Sequence, residues 1–500
     1  MSGALATALD DACREFGGAV AADEEESFSL ADFSNLAEEV AQSLLDAGVR
    51  PNEPVAVLVS NRVRDLAAFL GVWRAGAVVA PVHRTTPGLV LQGLLERMGS
   101  RIVVDFRPHE RAESLTAYGI EAGTKGCLHL LPLPPPAHRP LLEGAALIIF
   151  TSGTTGLPKG AVLGHDAFSG KLEAIDSLLH FNPGTRTLLV LQITFSFGIW
   201  VSLLTLLRGG DLLMQEQFTA DGLLPALRVH RATAVALVPT MLRAYLAKMS
   251  GPERRAEMEA FAQKSPLTQI LMGGENLGAD LGRRLFTLFP TAEMVDIYGL
   301  TETATSDFFL MPADQPEHLG CIGRPSPGVA YRIAAQGGGL AVRGEPGELQ
   351  IRTPFIMSGY LDAPDLTEQA FADGYFRTGD LVREKAPGLV EMVGRAKEMI
   401  SRGAAKIAPL EIEQVLCGHP AVAEALATGV PDEVLGERIH IFIVPRPGVE
   451  AQEAELRAWA AERLEKFKRP DAFHFGTELP VGRTGKADRG ALRRLLAGEK

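Results

Sequence analysis

Two short runs without a single charge, 55–59 (VAVLV) and 78–82 (VVAPV), flank a stretch of helical spacing at 65–73 that closes at Gly76. Strands this apolar are buried on both faces, and strand–helix–strand order predicts a parallel sheet covered by helices. Upstream, Phe33, Leu36, Ala37, Val40 and Leu44 share one helix face. Ser29 with Asp32 resembles a capping box, and Gly48 ends that helix. Further buried strands are expected at 145–150 (AALIIF), 233–238 and 268–272, and a proline-rich surface connection at 131–140. Beyond about Gly320 glycine and proline become dense, and alternating runs such as 347–352 (GELQIR) predict antiparallel strands. From about Gly394 the texture returns to mixed helix and strand for a stretch of ordinary domain size.

The 500 residues predict about two to four domains. Lys and Arg number 49 against 61 Asp and Glu, a formal charge of −12, which argues against coating nucleic acid or an anionic membrane. The four cysteines, Cys13, Cys127, Cys321 and Cys417, are far apart, so neither a disulfide framework nor a thiolate zinc site is expected. They read as inert thiols of a reducing compartment. No basic segment leads into an apolar run at the N-terminus, so no signal peptide is read and a cytoplasmic protein is expected. The uncharged stretch 187–207 is long enough to span a bilayer. It also reads as a buried strand, a turn at 195–198 and a buried helix, and no stable membrane span is expected.

The strand at 145–150 runs straight into TSGTTGLPKG (151–160). Gly153 and Gly156 let a backbone approach a polyphosphate. Consecutive N–H groups form an anion nest, and Thr151, Ser152, Thr154 and Thr155 add hydroxyl donors. Lys159 supplies a mobile positive charge. The spacing is not that of a Walker A loop, because Gly160 stands where Ser or Thr would follow the lysine.

Together with four further segments this loop resembles the adenylate-forming superfamily: acyl-CoA synthetases, peptide-synthetase adenylation domains and luciferases. YGLTET (298–303), YFRTGDL (375–381), GRAKEMI (394–400) and TGKADR (484–489) fall in that family's order. The resemblance implies an α/β chain. A large, multi-layer N-terminal domain (1–395), with parallel sheets and a small β-barrel-like region, binds AMP and the acyl group. A smaller, mobile α+β C-terminal lid (396–500) carries the catalytic lysine. It implies attack of a carboxylate on the α-phosphate of ATP, a meeting of two anions that requires neutralised charge and aligned atoms. By resemblance the 151–156 hydroxyls and N–H groups cradle the outer phosphates. Thr301 touches the α-phosphate, and Glu302 helps hold Mg²⁺. Asp380 accepts both ribose hydroxyls, Arg395 assists there, and Tyr298 with Gly274, Glu275 and Asn276 flanks adenine. Lys486 sits between the attacking carboxylate and the α-phosphate. Lys397 is the hinge of a lid that swings to admit a thiol past Gly403. Here RGAAK (402–406) replaces the family's usual Ser-Gly-Gly-Glu-Asn, which puts the width of the thiol tunnel in question.

The acyl pocket is expected from FSFGIW (195–200) with Gly273 and Gly299. Amino-acid-activating relatives place Asp where Ser196 stands, so α-amino acids are expected to be poor substrates, because a buried ammonium without a carboxylate is costly. Phe195, Phe197, Gly198 and Trp200 resemble the aromatic run of benzoate-type ligases and either form a flat slot for an aryl ring or are simply core. The leading expectation is an acid–thiol ligase that uses ATP, Mg²⁺ and coenzyme A to convert a small carboxylic acid to its thioester, releasing AMP and pyrophosphate. The alternatives are a stand-alone adenylating enzyme charging a carrier-protein phosphopantetheine, a fatty-acyl instead of an aryl ligase, and a non-catalytic nucleotide-binding protein. Oligomeric state has no signature in the sequence.

Overall fold

The computed structural model describes residues 3–107, 123–125, 127–131, 133–151, 158–248, 251–315, 317–335, 337–402, 405–481 and 487–497. Among these, the N-terminal part stacks helix, sheet, helix, sheet and helix in five layers. The first sheet has eight strands, with Ala145–Thr151 and Lys159–Gly164 on one side of Val78–His83 and Pro54–Val59 on the other. Pro54–Val59 pairs in parallel with Val78–His83, as the strand–helix–strand order predicts.

The second sheet has fourteen strands. Its centre is parallel: Arg186–Leu189, Ala234–Leu237, Gln269–Gly273 and Glu293–Tyr298 lie side by side. From Tyr298 onward the pairing turns antiparallel through Phe308–Leu310, Cys321–Pro325, Leu389–Arg395, Tyr375–Ala386, Gly347–Arg352 and Ala330–Ala334. The expected barrel-like region is therefore corrected. Among the described residues these strands do not close; they extend the parallel sheet sideways.

Helices Ala4–Glu15, Leu30–Asp46, Val63–Arg74, His165–Leu179 and Ser196–Leu207 fill the space between the sheets, with Phe33, Trp73, Phe168 and Trp200 fully buried. The Leu30–Asp46 helix starts as expected: Ser29 Oγ accepts from the Asp32 N–H at 3.1 Å. Trp73 satisfies its ring N–H by donating to the Ala146 carbonyl at 2.8 Å. Outside the first sheet lies Gly88–Met98, and outside the second lie Leu223–Val229, Pro239–Lys248, Pro252–Ala262 and Ala279–Leu288.

The uncharged stretch 187–207 resolves into a strand and a helix. Arg186–Leu189 is central in the second sheet, and Ser196–Leu207 is a twelve-residue helix buried nearly all round. A helix with no polar face is what a position between two sheets demands. Two of its hydroxyls are satisfied internally: Ser202 donates to the Ile199 carbonyl, and Thr205 bonds Thr187, both at 2.8 Å. The expected turn at 195–198 is instead the first turn of this helix, with Phe195 as its N-cap. No helix among the described residues is long and apolar enough to cross a membrane.

The C-terminal part has its own five-stranded sheet, in which Val422–Asp432 and Gly436–Pro445 form a long hairpin, and its own core around Ile412, Leu416, Ile441 and Leu456. The two parts meet at the turn Ala396–Glu398, directly after the strand Leu389–Arg395.

Phe33, on the buried face of Leu30–Asp46, belongs to the core between the two sheets and is 0% exposed. Truncation to Ala leaves a cavity there, and we expect a loss of about 3–5 kcal/mol, read as a lowered denaturant midpoint for the N-terminal part.

Candidate active site

Several backbone segments converge where the parallel half of the second sheet hands over to the antiparallel half. The first is the hairpin of Ala145–Thr151 and Lys159–Gly164, in which Thr151 and Lys159 are directly paired. The third strand on this edge, Gly359–Tyr360, pairs antiparallel with Lys159–Gly164. That pairing sets the Lys159 ammonium over the Tyr360 ring, 5.1 Å from its centroid. The Tyr360 hydroxyl in turn donates to Glu302 Oε1 at 2.9 Å. Burial, then the Glu302 carboxylate, holds the Tyr360 phenol well above its usual range. Ser152, Gly153, Thr154, Thr155 and Gly156 lie outside the described residues, as do Gly403 and Lys486. The neighbours of the last are placed: Val481 and Ala487 bridge each other.

The second focus is Asp380, which is 1% exposed. Asp380 and Arg395 are opposite residues on paired antiparallel strands. Arg395 Nε lies 2.9 Å from Asp380 Oδ1, and the Tyr298 hydroxyl donates to Oδ2 at 2.6 Å. The adjoining Asp380 carboxylate raises the Arg395 guanidinium above its ordinary value, against the effect of burial. Burial first, then Asp380, pushes the Tyr298 phenol well up, so it stays a donor. A carboxylate has about four acceptor positions. With one donor recorded on each oxygen, Asp380 retains capacity for a diol. Lys397 follows in the Ala396–Glu398 turn; burial, then the Arg395 charge, lowers its ammonium below the usual lysine range.

Thr301, Glu302 and Thr303 form one turn of 3₁₀ helix, and the backbone N–H of Met357 donates to the Glu302 carbonyl at 2.8 Å. Three consecutive non-glycine residues then take left-handed backbone: Ala304 at φ 55°, Thr305 at 78° and Ser306 at 26°. Gly299 is where this loop folds back. A Cβ there would stand 2.1 Å from the Ser306 nitrogen, so no other residue fits without moving backbone. Behind the turn, Lys171 and Asp307, both 0% exposed, form an ion pair at 2.8 Å. Lys171 also donates to the Ser306 carbonyl at 3.2 Å, and the Thr303 hydroxyl donates to the other Asp307 oxygen. Sequence reading missed Lys171, Asp307 and Tyr360. The one available signal was Lys171 itself, a cation on the same stripe as Phe168, Leu172 and Ile175.

Of the expected acyl-pocket residues, Phe197 and Trp200 stack with centroids 5.5 Å apart and planes at 18°. The edge of Phe197 lies 2.9 Å from where a Cβ on Gly273 would stand, so a small residue there admits the ring. Trp200 is fully buried behind Phe197, Ser196 is buried, and Phe195 is 37% exposed at the helix start. A Cβ on Gly198 would stand 2.4 Å from the Gln192 carbonyl. In the 274–276 loop, Gly274 is left-handed at φ 83°. Glu275 accepts from the Thr240 hydroxyl at 2.7 Å and pairs with Arg243 at 3.2 Å, so its carboxylate faces the Pro239–Lys248 helix, while Asn276 is half-buried.

Asp296 lies two residues before Tyr298 on the same strand face, and burial pushes its carboxyl up to about 7. The native group keeps its proton between about pH 4 and 7, where the unfolded chain has lost it. This contribution is therefore present at low pH and lost as pH rises toward 7. We expect Asp296→Asn to flatten the fall of melting temperature across that window; an unchanged slope counts against it. Tyr298→Phe deletes one donor to Asp380, and we expect KM for ATP to rise on the order of 5–10-fold at nearly constant melting temperature.

The sequence pattern of the AMP-binding enzyme family matches residues 9–361, and that of the AMP-binding enzyme C-terminal domain matches 411–486. The chain is 32% identical over 470 residues to a feruloyl-CoA synthase of Amycolatopsis sp, covering 94% of each. It is 32% identical to the sulfoacetate–CoA ligase of Cupriavidus necator, covering 90% of this chain and 89% of the other. Among solved structures, ATP-bound MatB from Rhodopseudomonas palustris superposes with a TM-score of 0.87 at 25% identity over 99% of both chains. The AMP-binding enzyme pattern thus covers well more than half of the length, and the chain belongs to the AMP-binding enzyme family.

Proposed function

We propose that this chain is an AMP-forming acid–thiol ligase: it joins a carboxylic acid to AMP with release of pyrophosphate, then passes the acyl group to coenzyme A. The observation that carries this reading is the buried Asp380 carboxylate, fixed by Tyr298 and Arg395 beside a hinge turn and close to the Glu302–Tyr360–Lys159 array. The coenzyme A ligases among the relatives support the thiol half.

Asp380 takes the ribose diol, with Arg395 as its counter-charge. Thr301 and Glu302 then lie on the turn that follows Tyr298, one strand-end away from the sugar site. No cluster of three or more His, Cys, Asp or Glu among the described residues is arranged to hold a metal ion. Glu302 has one recorded side-chain partner, on Oε1. That donor set fits a magnesium ion held chiefly by phosphate oxygens and water with one protein carboxylate. When bound, the ion supplies charge neutralisation to the phosphates. Lys159 and the 151–156 segment take the outer phosphates, and Lys486, between Val481 and Ala487 in the sequence, supplies positive charge where carboxylate and α-phosphate meet.

The domain division falls at 395/396, with the turn carrying Lys397 as hinge and the 402–406 segment lining the thiol path. An aryl acid is the favoured substrate class. The Phe197–Trp200 stack against Gly273 offers a flat apolar wall, and the feruloyl-CoA-forming relative is consistent with it. Ser196 gives an α-ammonium no counter-charge. A cytoplasmic location fits the cysteines at 13, 127, 321 and 417, all free.

Pyrophosphate exchange into ATP, measured across benzoates, cinnamates, fatty acids and dicarboxylates, tests the reading; exchange with none of them overturns it. Lys486→Ala should lower exchange on the order of 10²–10³-fold while sparing thioester formation from supplied acyl-AMP, and equal loss in both would remove Lys486 from its role. Ser196→Asp should weaken aryl acids; unchanged kinetics would place Ser196 outside the pocket.

A further inference from the structure

We infer that the buried Lys171–Asp307 pair is a positioning device that holds the Thr301–Glu302 turn at a fixed distance from the phosphate-loop hairpin, so that one triphosphate is gripped from both sides. The inference rests on the adenylating function proposed above and assigns it two residues with no contact to substrate.

Lys171 lies on His165–Leu179, which continues directly from the strand Lys159–Gly164. Any shift of that helix is a shift of the hairpin that leads into 151–160. The Lys171 ammonium reaches across to the second sheet and makes two bonds to the segment after the turn: Asp307 Oδ1 at 2.8 Å and the Ser306 carbonyl at 3.2 Å. The face of Phe355, 5.1 Å away, covers it. Asp307 passes the constraint on. One carboxylate oxygen takes Lys171, and the other takes the hydroxyl of Thr303, the residue next to Glu302. The Asp307 backbone N–H also donates to the Tyr298 carbonyl at 2.7 Å, which closes the loop onto the residue that steadies Asp380.

Two features argue that the pair serves geometry more than stability. First, a fully buried ion pair is often no more stabilising than apolar side chains of the same volume, and this helix otherwise packs Phe168, Leu172 and Ile175 into the core. Second, the segment it grips is strained. Ala304, Thr305 and Ser306 are all left-handed, and a β-branched threonine is a poor occupant of that region. Backbone of this kind persists only where its surroundings over-determine it. Lys171 on the Ser306 carbonyl and Asp307 on Thr303 are such determinants, one at each end of the strained run.

The two half-reactions separate this role from a structural one. Adenylation needs the turn and the phosphate hairpin in register around Mg²⁺-ATP; thioester formation from acyl-AMP involves neither pyrophosphate nor the cation. The best acid of the panel above, its synthetic acyl-adenylate and coenzyme A are the probes. Lys171→Met should reduce pyrophosphate exchange on the order of 100-fold and raise the Mg²⁺ concentration needed for half-maximal rate, because a displacement of about 1 Å costs that much. Thioester formation should stay within about threefold of wild type. Lys171→Arg should recover part of the exchange. Thr303→Val leaves the ion pair intact and removes its link to the turn together with the 3.1 Å bond from the Thr303 hydroxyl to the Leu300 carbonyl, while Thr303→Ser keeps both; these two variants decide the matter if Lys171→Met does not fold, with the selective loss expected in Val and recovered in Ser. Parallel loss of both half-reactions in Thr303→Val, or unchanged exchange and Mg²⁺ dependence in a folded variant of either residue, would overturn the pair's role alone. Absence of exchange in the wild type with every acid would overturn the adenylation reading and the pair's role with it.

Discussion

Asp380 is an acceptor-only carboxylate with almost no exposure, and burial of such a charge is tolerable only if donors meet it. Those donors come from two directions that the chain reaches nearly a hundred residues apart. Arg395 stands across an antiparallel pair, and Tyr298 closes the last parallel strand. The handover from parallel to antiparallel pairing at Tyr298 is therefore more than a feature of topology. It brings the loops at the end of the parallel strands, where α/β proteins bind ligands, beside a hairpin whose register fixes a counter-charged pair. The Ala396–Glu398 turn begins at the next residue, so the proposed sugar site and the proposed hinge share one strand.

The elements that carry this arrangement were legible where burial dictates composition. Strands covered on both faces read as charge-free runs, and 55–59, 78–82, 145–150, 233–238 and 268–272 all fall on strands of the structure. The start of Ser196–Leu207 was less legible because its N-cap is Phe195, which offers no side-chain acceptor, so nothing local marks the boundary. The barrel expectation failed for a different reason. Closure depends on which strands meet at the two edges, and alternation within each strand carries no information about that.

Within the candidate site, residues belonging to contiguous motifs were readable and residues assembled by the fold were not. Tyr298, Glu302, Asp380 and Arg395 each sit in a segment whose neighbours give them away. Tyr360 meets Glu302 across 58 residues of sequence, and Lys171 meets Asp307 across 136. Neither partner has a local reason to be noticed, apart from the oddity of an ammonium in an apolar helix stripe. The site therefore has two strata. Motif residues carry the proposed nucleotide contacts, and behind them lies a scaffold of long-range polar contacts that only the folded chain reveals.

Arg489 adds a mechanical consequence. Its guanidinium bonds Glu398 in the Ala396–Glu398 turn at 3.1 Å and also binds Glu413 and the Ala427 carbonyl in the C-terminal core. Lys486 stands three residues before Arg489 in the chain. The Ala396–Glu398 turn and the C-terminal core are thereby clamped by one side chain, like a crank keyed to its shaft. In the reading proposed above, with 396–398 as the hinge, turning there carries Arg489 and the C-terminal core together as a single stroke and not as two separately timed events.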